Sequence, residues 1–199
     1  MRALTAIKVQ YRKACQLTKR LVNDIGGFAA VEFAMIAPVM IVMLLGVVEV
    51  SDASTVSVRV IDISGAVADM VARCTNGIAT KDLDDVFRIS DALMGRYPRS
   101  PLYVEVIELN SSAQGVITVG WSYDKNHAQP LAGGTPYTKL PVGLLAPGGS
   151  MIVSVAKYKY RSPIGRYIHG IMTLQHTAYN LPRGSQAVAL GNTKCNSKV

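Results

Sequence analysis

The chain has 199 residues, enough for one modest domain beside a membrane anchor. With 49% hydrophobic and 17% charged residues it is too apolar for a disordered chain. The formal charge of +8 does not describe a nucleic-acid-binding surface, because residues 1–27 carry a net +5 and residues 28–199 only +3.

Residues 1–27 hold Arg2, Lys8, Arg12, Lys13, Lys19 and Arg20 against Asp24 alone, with no long hydrophobic run. This reads as a basic cytoplasmic leader whose charge acts as a topology signal. From Phe33 to Val48, sixteen residues pass without a charge. Extended back to Phe28, the segment reaches roughly 31 Å as a helix, which matches the hydrocarbon core of a bilayer. Glu32 and Glu49 bracket it near the two interfaces. Pro38 lies inside and removes one backbone hydrogen bond, a defect that membrane helices tolerate when neighbours compensate. Six Lys/Arg precede the span and the first after it is Arg59, so the N-terminus is expected in the cytoplasm. Everything past the span then lies outside the cytoplasm. The expected organisation is a leader over 1–27, a transmembrane helix over 28–50, a stem helix over 51–73 and an extracytoplasmic domain over 74–199.

Helical spacing continues beyond the membrane. Ala53, Val56, Val60, Ile63, Val67 and Met70 recur every three or four residues, with Asp52, Arg59, Asp62, Asp69 and Arg73 on a second stripe. A second helix is predicted over Lys81–Met94, with Thr80 as N-cap and Gly95 as its stop. Residues 102–109 and 116–123 then read as strands, the second with Ile117, Val119, Trp121 and Tyr123 on one face. Residues 125–150 are rich in Pro and Gly and read as a loop. Two further strands fit 151–160 and 168–179, the latter with Ile168, Met172, Leu174 and Ala178 on one face. The fold class is α+β: a transmembrane helix continuing into a stem, followed by a small antiparallel sheet.

The run Gly27-Phe-Ala-Ala-Val-Glu-Phe-Ala-Met-Ile-Ala-Pro38, with an apolar block closing at Leu44-Leu45-Gly46-Val47-Val48-Glu49, resembles the TadE-like family. That family consists of minor pseudopilins of the tight-adherence (Flp) pilus system, a branch of type IV pili. The resemblance is specific over residues 27–50 and loose afterwards. It implies cleavage between Gly27 and Phe28 by a membrane-embedded prepilin peptidase. Glycine suits such a site because its carbonyl can be approached closely. Gly26 is the neighbouring alternative, but it puts Glu32 one position too far along. Cleavage would free an amine at Phe28, and the Glu32 carboxylate could pair with that amine on a neighbouring subunit, lowering the cost of holding both in the membrane. The implied partners are the peptidase, other pilus subunits and an inner-membrane assembly platform. The implied location is the inner membrane, single-pass, with the domain on the periplasmic side or carried into the pilus.

Two other readings of the N-terminus stay open. A secretory signal peptide would need a shorter apolar core and an A-x-A-like site, and the nearest match, Ser51-Asp52-Ala53, follows Glu49. An uncleaved single-span anchor carrying a binding protein or enzyme unrelated to pili requires no peptidase. Enzyme, cofactor and metal signatures are not found. His127, His169 and His176 lack ligand spacing, there is no Cys-x-x-Cys, and Ser150 is not in a nucleophile elbow. The expectation is a protein that catalyses nothing and binds no cofactor. His176 falls on an otherwise apolar strand face and reads as a core or edge residue. Tyr158-Lys159-Tyr160-Arg161, with Arg166-Tyr167, is the basic-aromatic cluster outside the leader; alternation assigns its two residue types to opposite faces.

Of the three cysteines, Cys15 lies in the leader, where thiols stay reduced. Cys74 and Cys195 lie past the span, in the compartment where disulfides form. Paired, they would tie the C-terminal tail to the end of the stem, at a chain-entropy value of about 4–5 kcal/mol. Two free thiols are the alternative.

Overall fold

A computed structural model of the chain describes residues 25–75, 77–162, 171–184, 187–191 and 194–195. The expectations for most of the leader, Cys15, Arg166-Tyr167, Ile168 and His169 lie outside these residues. Two helices, α1 (Ile25–Ala72) and α2 (Thr80–Leu93), precede four strands. The strands are β1 (Leu102–Ser111), β2 (Ile117–Asp124), β3 (Ser150–Arg161) and β4 (Ile171–Asn180). They form one antiparallel sheet in the order β2-β1-β3-β4. The fold is α+β, with a long apolar N-terminal helix and a four-stranded sheet.

The chain divides into two compact units at Val50/Ser51. In the first, α1 continues unbroken through Pro38. Its apolar side chains face outward along the whole run, from Phe28 at 75% exposure to Val50 at 70%. Such a surface has no aqueous rationale, since each Val, Leu, Ile, Phe or Met gains roughly 1.5–3 kcal/mol on leaving water.

In the second unit α1 becomes an ordinary amphipathic helix. Val56, Val60, Ile63, Val67 and Val71 are buried, and Ala53 and Met70 pack against the same core. That stripe meets Leu83, Val86 and Phe87 of α2 and Val104, Val106, Ile152 and Tyr158 of the sheet. Helix α2 starts one residue earlier than its N-cap assignment: Ala79, not Thr80, occupies the cap position. Asp82 in the first turn compensates, its Oδ2 accepting the Ala79 N–H at 3.4 Å. Gly95 follows the helix with φ of +61°.

Strand β2 departs from the expected single face. Trp121 and Tyr123 join the helix-side core, whereas Val119 and Ile117 belong to a second cluster on the other side. The pairing register between β1 and β2 shifts at Glu108/Leu109 and skips Gly120. This bulge reverses the alternation. Only glycine fits there, because a Cβ at residue 120 would lie 1.7 Å from Glu108 Oε2.

The second cluster comprises Ile107, Leu109, Val119, Met151, Val153 and Val155 of the sheet, covered by Leu140 with Leu131, Tyr137 and Leu145 from the loop. The Pro/Gly-rich connection is therefore a covering layer. It also caps the β2 edge, where Val119 N donates to Thr135 O at 2.9 Å and Tyr137 N to Ile117 O at 3.0 Å. Residues 181–195 return to the end of α1. Arg183 N donates to Ala72 O at 2.8 Å, Ile78 N to Ala189 O at 2.9 Å, and Trp121 Nε1 to Val188 O at 2.6 Å. Gly77 permits this approach, as a Cβ there would sit 2.7 Å from Ala189 O.

Candidate functional site: the N-terminal segment of the long helix

Gly27, Phe28 and Glu32 all lie in the first two turns of α1. Phe28 and Glu32 stand four residues apart, so they share a face one turn apart. Both are exposed, as are their neighbours Val31 and Phe33. A Cβ at Gly27 would meet nothing within 4 Å. Glycine at this position is therefore not required by the chain's own packing, and a reason for it must come from outside the chain. The same helix is, among the described residues, the one long and apolar enough to cross a membrane, with a mean hydropathy of 2.5 and none of its apolar window buried.

At the far end of α1 the structure joins Cys74 to Cys195, with Cα atoms 4.9 Å apart across a sequence separation of 121. Asp82 Oδ2 accepts the Cys195 backbone N–H at 2.7 Å. One carboxylate thus serves the α2 N-terminus and the bridged tail together. Asp69 does similar work nearby, accepting from Arg73 and Arg183 at 2.5 Å each.

His176 faces the helix side of β4, where its Nδ1 lies 2.8 Å from Ser64 Oγ on α1. His127 occupies a left-handed backbone position, φ 62°, in the turn after β2. Its Nδ1 is 3.0 Å from the Tyr123 hydroxyl and 3.1 Å from Asp84 Oδ1. Together with Phe87, Arg88 and the Lys125–Asp91 ion pair these groups line an open cleft of about 250 Å³. Among the described residues no three His, Cys, Asp or Glu side chains are grouped to hold a metal.

Two buried carboxylates on β1 escaped sequence reasoning. Glu108 accepts from Asn110 Nδ2 at 2.9 Å and Ser150 Oγ at 3.1 Å, and burial pushes its carboxyl above the ordinary carboxylate value. Glu105 stands opposite Asp124 in the β1–β2 register. Burial raises its carboxyl too; Lys157 opposes the shift and Asp124 adds to it. The Tyr103 hydroxyl is likewise raised, first by burial and then by the Glu105 and Asp124 charges. The available signal was an acid at two positions of an otherwise apolar β-rich run. In Tyr158–Arg161 the tyrosines are buried while Lys159 and Arg161 are exposed, as alternation requires.

Residues 27–62 match the family model described as TadE-like protein. The match begins at Gly27, includes Glu32 and reaches into the stem, so the resemblance drawn from residues 27–50 holds and extends further. No curated protein and no solved structure matches the chain. The matched segment and the exposed apolar helix together fit a membrane protein associated with a Tad pilus.

Proposed function

From this TadE-like segment we propose that the chain is a minor pseudopilin that takes part in assembling a Flp-type, tight-adherence pilus. The observation that carries the reading is the coincidence of three features in one matched stretch. A glycine free of packing constraint and a carboxylate five residues on head an apolar helix exposed along its whole face. A prepilin peptidase in the cytoplasmic membrane removes residues 1–27, leaving Phe28 as the new N-terminus. The released amine and Glu32 then offer opposite charges one helical turn apart, a pair that two neighbouring subunits can exchange in the membrane. The remaining apolar surface of α1 packs against other pilus subunits and the assembly platform, while the α+β domain stays on the extracytoplasmic side. The protein contributes surfaces rather than catalysis.

N-terminal sequencing of the membrane-extracted protein from a host that carries the peptidase tests this directly. A sequence beginning Phe-Ala-Ala-Val-Glu is expected. An intact leader throughout the population would return the chain to the alternative, a single-span anchor for an extracytoplasmic binding protein or enzyme. The mixed-charge cleft beside His127 is the feature that would then need a ligand.

A further inference from the structure

The basic residues of the folded domain gather at one end. Following α2, Arg96 Nη2 pairs with Asp52 Oδ1 at 2.6 Å, and the Tyr97 hydroxyl lies 3.4 Å from the same oxygen. Arg59 fixes this loop from α1: its Nη1 donates to Leu93 O at 2.8 Å, and its guanidinium carbon lies 5.6 Å from the centre of the Tyr97 ring. Strand β3 ends beside the same loop, since Tyr158 Oη donates to Pro98 O at 3.1 Å and Lys159 N to Pro101 O at 3.4 Å. Arg96, Arg99, Lys159 and Arg161 are all exposed there. Beside Arg161 and Tyr160 in the register, Ile171 and Met172 at the start of β4 present bare apolar side chains, 60% and 53% exposed. The acids Asp82, Asp84 and Asp85 lie in the opposite, first turns of α2.

Asp52 is two residues past Val50. At about 1.5 Å per residue it sits about 3 Å along the helix from the end of the apolar run, within the headgroup layer if that run ends at the hydrocarbon boundary. We propose that this end of the domain is a docking surface for the anionic phospholipid headgroups of the bilayer that α1 enters. The inference rests on the reading that residues 28–50 cross a membrane. The four bases match phosphate charge, and Ile171 and Met172 suit the acyl boundary beneath it. An exposed apolar pair rimmed by cations has no comparable use toward water. Docking would hold the domain against the membrane before the subunit is extracted into a pilus.

Hydrogen exchange on the full chain tests the proposal, in phosphatidylcholine vesicles with and without roughly 30 mol% phosphatidylglycerol. Amides of 96–102, 158–162 and 171–173 should exchange about threefold or more slowly with the anionic lipid, and salt should abolish the difference. Arg99→Gln/Lys159→Gln/Arg161→Gln should lose the slowing while leaving the Asp52–Arg96 pair in place. Equal exchange in both vesicles, with residues 28–50 protected in each, overturns the docking surface alone. Slow exchange at these amides without anionic lipid would assign the surface to another occupant and overturn it too. Free exchange of residues 28–50 in both vesicles would overturn the spanning reading and the docking surface with it. The wild-type comparison does not depend on the variant's folding.

Discussion

Ser64 Oγ on α1 and His176 Nδ1 on β4 lie 2.8 Å apart, which ties the stem to the outermost strand of the sheet. The hydroxyl has one proton, and it is donated to Ile61 O at 2.8 Å. His176 must therefore donate its Nδ1–H to the serine, a role that both its neutral Nδ1–H tautomer and its cation satisfy. Ser64→Ala leaves that N–H without its acceptor at a half-buried site and should cost about 1–3 kcal/mol. A double-mutant cycle with His176→Phe, read by thermal melts in detergent micelles, should give a coupling of about 0.5 kcal/mol or more. Additive effects would show that the contact carries no energy.

Gly27→Leu should block removal of the leader, because a branched side chain obstructs approach to the scissile carbonyl while disturbing nothing in the fold. Gly27→Ala should be processed in part. Peptide mass spectrometry over residues 1–40 in a peptidase-containing host measures the ratio of intact to cleaved chain. Normal processing of the leucine variant would move the cut elsewhere.

Glu32→Ala separates a pilin helix from a simple anchor. If the carboxylate pairs with a neighbour's Phe28 amine, insertion and cleavage should persist while pilus assembly fails, since an amine would be left uncompensated in a low-dielectric setting. In a simple anchor the change should be neutral or slightly favour insertion. Piliation counted by electron microscopy, with membrane levels of the variant alongside, distinguishes the two.

Cys74→Ser should lower stability by about 2–5 kcal/mol, because the bond closes a loop spanning most of the domain. The loss should be felt first at the tail, where Cys195 N donates to Asp82 and Arg183 N to Ala72. Exported wild-type protein should show neither Cys74 nor Cys195 accessible to alkylation before reduction. Quantitative labelling of both would refute the bond in the exported protein.

Glu108 predicts a pH dependence whose sign runs against the usual carboxylate. Its folded-state value is raised above the ordinary 4.5, so the native state binds a proton more tightly than the unfolded chain. Stability is unaffected below that ordinary value, falls as pH rises through the folded value, and carries the full penalty above it. Glu105 adds in the same direction. Glu108→Gln should therefore be close to neutral in acid, near pH 4, and stabilising near pH 7. Unfolding midpoints at the two pH values check it; a glutamine variant destabilised more at neutral pH would reverse the sign.

The amino-acid sequence by itself determined what depends on neighbours along the chain. The charge-free run after Phe33, the three-and-four spacing of Val56, Val60, Ile63 and Val67, and the stop at Gly95 are local patterns, and each element they specify is present. Glu32 and Gly27 were legible for the same reason, since their meaning lies in their separation and not in packing. Tertiary structure decided what depends on neighbours across space. Gly120 reads as an ordinary strand glycine until Glu108 is placed against it; the resulting bulge sends Val119 and Trp121 to opposite faces. The Pro/Gly-rich stretch reads as a loop, but only the apolar back of the sheet makes Tyr137 and Leu140 a covering layer. The gathering of Arg96, Arg99, Lys159 and Arg161 at one end comes from two segments about sixty residues apart, joined by the β1–β3 register. Pattern along a chain reports which face is apolar; which partner covers that face is set by long-range pairing that no local window contains.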